Sequence, residues 1–197
     1  MRSISMYGTV LVLVSMTGLA GCVKTSVAQA PVEINAAAFN ATGQLHFPEN
    51  TDRWITVGSG LGGTYESTEV AMDGPGTLSH VQMEPEAYEF FLENGFYAEG
   101  TMLLLTFFNV LEKPEPALRG FAQGNIAQRE IHVIDARRFA DEGRAFFIFP
   151  SDSTLPAAPL PVGSECVSCH AEHGEFDGTF TQFYPNIRSR LEGEHGP

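Results

Sequence analysis

The run from Gly100 to Leu111, GTMLLLTFFNVL, leaves the chain few ways to fold. It is apolar, carries threonine and phenylalanine, and has no helical period. It therefore reads as a β-strand buried on both faces. Gln128–Phe139 and Arg144–Pro150 read as two further strands, with ADEG between them as a turn. Earlier, Trp54–Gly58 and Gly76–Met83 alternate well enough for strands, the first running into a glycine-rich turn after a short helical turn that Asn50 or Thr51 would cap. One helix is clear. Pro85 sits in its first turn, Glu84 and Glu86 suit its positive end, Tyr88, Phe91 and Leu92 form its apolar face, and Gly95 stops it. The fold class is α+β, mainly β: an antiparallel sheet with flanking helices.

The prolines at 150, 156, 159 and 161 make an irregular loop, and beyond it lies Cys166-Val-Ser-Cys169-His170. C-x-x-C-H is the spacing of c-type haem attachment. Two thiols one helical turn apart reach the two vinyl groups of one haem, and the following histidine binds the iron. The expectation is one covalent haem c, held by Cys166 and Cys169, with His170 as proximal ligand and the motif opening a C-terminal helix. A thioredoxin-type disulfide lacks its βαβ setting. A zinc site would need two more ligands, for which only His173 and His195 offer themselves.

The N-terminus bears on this chemistry. Residues 1–21 have Arg2, a short apolar run from Val10 to Val14, then small residues, which reads as a secretory signal. Leu19-Ala20-Gly21-Cys22 resembles a lipobox, so Cys22 is the expected lipidation site and the chain is expected to be a periplasmic, membrane-anchored lipoprotein. Of three cysteines none is then left over. Residues 22–44 read as a flexible tether, 45–191 as the haem domain, and 192–197 as a disordered tail. The net charge is −13, or −14 once Arg2 leaves with the signal. That excludes a generic nucleic-acid binder. It is compatible with a basic redox protein as partner, although a solvated acidic surface is the simpler and better explanation.

The sixth iron position decides function: methionine there suits electron transfer, a vacant site suits small molecules. Met72 lies in a loop able to reach a haem. Met102 reads as core, and Met83 lies on a strand. His173 lies on the same helix face as His170, and His46, His80 and His132 read as surface or hydrogen-bonded residues. Phe107, Phe108, Phe147 and Phe149 alternate across two central strands and are mostly core, with one or two facing the iron. Leu105, Phe107, Phe147 and Phe149 are the distal candidates. Glu165, Glu172, His173 and Glu175 are the acid/base groups expected near the haem, as solvated side chains.

In order and spacing, TDRWITVGSGLG, MEPEAYEFFLENGFYAEGTMLLLTF and CVSCHAEHGEFDGTFTQFYP resemble the cytochrome P-460 family, over about Asp52 to Arg188. The resemblance implies a mostly antiparallel β fold, a homodimer in many members, and one five-coordinate haem. Members either oxidise hydroxylamine or, as cytochromes c′-beta, bind nitric oxide or carry electrons behind phenylalanine caps. In the oxidising members a lysine is also bonded to the haem, expected near the strand after Gly100-Thr101. This chain has only Lys24 and Lys113. Lys113 lies roughly 26 Å beyond Leu105 at ~3.3 Å per strand residue. The departure favours electron transfer or nitric oxide binding, with hydroxylamine oxidation and a Met72-ligated electron carrier as alternatives.

Overall fold

The computed structural model describes residues 37–63, 75–113 and 119–192, all within the unit that runs from Pro31 to Pro197. Residues 1–36 with the lipobox, Met72, and the tail 193–197 lie outside the described residues. Five antiparallel strands form one sheet in sequence order: β1 (Ile55–Gly63), β2 (Thr77–Met83), β3 (Thr101–Glu112), β4 (Phe121–Ile134) and β5 (Arg144–Pro150). Helix α1 (Pro85–Asn94) joins β2 to β3, and α2 (Glu165–His173) and α3 (Pro185–Glu192) follow the sheet. The expected mainly β architecture, with its antiparallel sheet and few helices, is the observed one.

Helix α1 begins and ends as its sequence dictates. Glu84 accepts a hydrogen bond from the amide of Ala87 at 2.9 Å, Pro85 opens the first turn, and Gly95 closes the helix at φ 76°. Phe91 is fully buried under it.

Two strands differ from their sequence reading. β1 continues through Gly58, Gly60 and Gly62 to Gly63, where a glycine-rich turn is expected. Register shifts between Thr56 and Gly58 and between Leu61 and Gly63 absorb the irregularity. Gly58 is required there because a Cβ would run into the ring of Tyr184. β4 starts at Phe121, seven residues before Gln128, and stops at Ile134 rather than Phe139. The stop has a local cause. The Asp135 carboxylate accepts the amides of Arg137 and Arg138, both at 3.1 Å, which turns the chain out of the sheet.

The sheet has a core on each face, as the run at 101–108 requires. Met102, Leu104, Ile131, Val133, Phe147 and Phe149 point to one face and meet Leu45 and Trp54. Phe39 and Phe47 close that side, Phe39 with its ring centroid 6.0 Å from Phe147 and Phe47 at 5.1 Å from Phe149. Residues 37–44, expected as the end of the tether, thus carry a packed aromatic anchor, and the packed body reaches back at least to Ala37. On the other face Val57, Val81, Met83 and Leu103 pack with Ala87 and Phe91 of α1, Tyr97 and Ile187 of α3.

Candidate functional site

The second face is only partly filled by that core. Two cross-strand rows continue past it: Met83–Leu103–His132–Phe146, and Val81–Leu105–Glu130–Ile148. Helix α2 lies over their β5 end and leaves a cavity of about 530 Å³ between helix and sheet. That volume is in the ordinary range for a cofactor or ligand site, about 300–1,000 Å³. The sheet wall is Val81, Leu103, Leu105, Glu130, His132, Phe146 and Ile148, with Gln128 at its edge. The other wall is Leu160, Glu165, Cys166, Cys169, His170, Thr179, Phe180 and Tyr184.

Cys166 and Cys169 are both free thiols on α2, the first half-buried and the second exposed. Burial, and next the nearby Glu130 carboxylate, push the Cys166 thiol above its ordinary pKa, so it stays protonated near neutrality. His170 follows on the same helix. Its ring lies among Phe146, Phe180 and His132, with centroids at 4.5, 4.7 and 5.6 Å. Its Nδ1 is 2.6 Å from the Gly178 carbonyl oxygen. A carbonyl can only accept, so Nδ1 carries the hydrogen and Nε2 keeps its lone pair. This is how a metal-ligating histidine is oriented by the residues behind it.

The Gly178 carbonyl is placed by a two-residue turn. Phe176 and Thr179 bridge each other, and Asp177 and Gly178 between them have φ 49° and 67°. Asp-Gly is the pair that tolerates left-handed backbone at both positions of such a turn. Gly174 lets the turn fold back on the end of α2, since a Cβ there would meet Gly178. Behind it, the Thr179 and Thr181 hydroxyls lie 2.7 Å apart and Tyr97 reaches Thr179 at 3.4 Å, all buried. Burial holds the Tyr97 phenol up at about 12, against the hydrogen bonds from the two threonines.

The chain matches the family model for Cytochrome P460 over residues 34–181. It belongs to the cytochrome P460 family. Membership implies a haem cofactor, and no curated protein matches the chain. The residues fit that cofactor: two thiols and an oriented imidazole face one apolar cavity. Among the described residues no group of three His, Cys, Asp or Glu is arranged to hold a bare metal ion; His195 lies outside them.

For a cytochrome P460 family chain the wall facing His170 matters most, and here the sequence reading divides. Leu105 lines the cavity as expected. Phe147 and Phe149 do not. They are 0% and 1% exposed in the opposite core, because side chains alternate along β5 and the cavity takes Phe146 and Ile148 instead. Phe107 shares the face of Leu105 but belongs to the next row, opposite Gln128, and is not part of the cavity wall. Met102 is core, Met83 packs with Phe91, and neither lines the cavity. His46 borders a different cleft, beside Trp54 and Glu84. His80 meets Phe108 edge to face. His173 is exposed beside Glu172. Lys113 lies past the end of β3, bonded to Gly120, and no lysine lines the cavity.

Glu130, His132 and Tyr184 are among the cavity residues not singled out from sequence. Glu130 stands in the wall with the amide of Gln128 donating to it at 2.6 Å. His132 is 7% exposed, and its Nε2 is buried without a partner. Burial, then the nearby His170 and Arg144, hold it well below the ordinary histidine pKa and hence neutral. The alternation E-I-H in β4 was the available signal: Glu130 and His132 share one face of a strand.

Proposed function

We propose that this chain is an exported monohaem c-type cytochrome that binds a small nitrogen oxide such as nitric oxide, or passes electrons, at a site with an open sixth position. Cys166 and Cys169 hold the haem by thioethers and His170 is the proximal ligand. The observation that carries the reading is the His170–Gly178 bond, which commits Nδ1 and leaves Nε2 for iron beside an apolar cavity. Among the described residues no methionine or lysine lines that cavity, and the other histidine in its wall, His132, packs against His170 itself. When bound, the haem supplies a redox-active iron with an exchangeable position. The chain would orient the proximal imidazole and wall the haem with Leu105 and Val81.

One observation favours the enzyme reading, oxidation of hydroxylamine. Glu130 is a carboxylate in the cavity wall, able to accept a proton from a small nitrogen substrate. Attachment to the membrane would run through a lipidated Cys22, the acidic chain would meet a basic redox protein, and the body would pair as a homodimer.

Spectra of the purified holoprotein test the reading. A ferrous high-spin spectrum that shifts on adding nitric oxide supports it. A low-spin spectrum with a methionine charge-transfer band rejects it for the carrier, and a ferrous band near 460 nm for the lysine-linked enzyme. Cys166→Ser with Cys169→Ser should release the haem into acidified organic solvent.

A further inference from the structure

Arg144 opens β5 on the same face as Phe146. Its side chain is half-buried and its Nε donates to the Glu142 carbonyl at 3.0 Å. Its Nη1 is buried with no partner, and among the described residues no carboxylate forms an ion pair with it. Such a cation is costly to bury and returns little to stability. The guanidinium packs directly on Gly178, where a Cβ would collide with it. Gly178 is the residue whose carbonyl accepts the His170 Nδ1 hydrogen. Among the described residues this positive charge, with no carboxylate partner, stands behind the proximal histidine, while Nε2 lies on the far side of the ring.

We propose that Arg144 is a positioning and potential-setting residue: its guanidinium, packed on Gly178, restrains electron donation from His170 and favours the reduced state of the iron that His170 ligates. The inference rests on the haem reading above. Two effects act in the same direction. Ferric iron gains one electron from an external reductant and becomes less positive, which a nearby cation favours in a half-buried setting where water screens weakly. The cation also draws density from the Gly178 carbonyl, making it a poorer acceptor, so the imidazole gains less imidazolate character.

The test is an equilibrium redox titration of the full-length holoprotein, followed in the visible spectrum, for wild type, Arg144→Gln and Arg144→Lys. At a fixed ambient potential, Arg144→Gln should lower the ferrous-to-ferric ratio about tenfold, while Arg144→Lys stays within about threefold of wild type. The iron–histidine stretch of the ferrous form should rise in Arg144→Gln and hold in Arg144→Lys. Should the glutamine variant not fold, Arg144→Met keeps the stem and carries the same expectation. Superimposable titrations overturn the proposal, and so does a lysine variant that behaves like glutamine, which would mean packing rather than charge. A wild type without a histidine-ligated haem sinks the proposed function itself; an unmoved potential in a normal holoprotein sinks only the role of Arg144.

Discussion

The Nδ1 of His170 and the carbonyl oxygen of Gly178 lie 2.6 Å apart, joined across a turn that only Gly178 can complete beside Arg144. Gly178→Ala should break this relationship in two ways. Its φ of 67° costs an L-residue about 1–2 kcal/mol. The new Cβ also displaces the guanidinium. We expect the melting temperature to fall by about 2–8 °C, from ~2–4 °C per kcal/mol for a chain of this size. The haem spectrum should also change, because the carbonyl moves. A variant with lower stability and an unaltered spectrum would show that the carbonyl does not orient His170.

Phe147 and Leu105 test the assignment of the two sheet faces. Phe147 is fully buried away from the cavity, whereas Leu105 is half-buried in its wall. Phe147→Ala should cost about 3–5 kcal/mol in urea unfolding and leave nitric oxide binding by the folded protein within about twofold. Leu105→Ala should cost less and change the association or release rate of the ligand several-fold. The reverse pattern would place the cavity on the other face of the sheet.

What the sequence made legible follows from the range of each signal. The run at 101–108, the caps of α1 and the C-x-x-C-H spacing are local, and each stands in the structure where the sequence puts it. Which face of β5 meets the cavity is not local. Phe146 and Phe147 are chemically identical neighbours, and a single step of register exchanges their faces. Their roles are decided by where α2 lands, which depends on the loop of residues 151–164. His132 was hidden for the same reason: its neighbours Phe146 and His170 come from β5 and α2. Phe39 was masked by the small polar residues around it.

Acid should destabilise the protein through His132. Its folded pKa is depressed, chiefly by burial, so below about 6.5 the unfolded chain binds a proton that the folded chain refuses. Stability from this group is therefore full above the unfolded value and lost as pH falls, by up to roughly 1.4 kcal/mol per pH unit. His132→Phe removes that proton and should flatten the acid limb of urea stability between about pH 6.5 and 5. An equally steep limb in the variant would assign the acid response to other groups. On the alkaline side Tyr97 and Tyr184 are both raised by burial to about 12. Their contribution holds below their ordinary value of 10.0 and fades as pH climbs toward 12.

Gly58 and Tyr184 link the edge strand to the cavity. The Tyr184 ring lies where a Cβ on Gly58 would stand, so glycine on β1 makes room for one wall of the site. Gly58 has no left-handed backbone to protect, so Gly58→Ala tests the contact rather than backbone strain. The alanine should push Tyr184 into or out of the cavity at a cost of about 1–3 kcal/mol, as for other overpacked sites. The phenol should then lose burial, the main cause of its raised pKa, and titrate closer to 10.0 in an ultraviolet difference titration. Tyr184→Phe supplies the baseline for separating its signal from Tyr97. A Gly58→Ala protein whose Tyr184 still titrates near 12 would show that β1 yields instead of the ring.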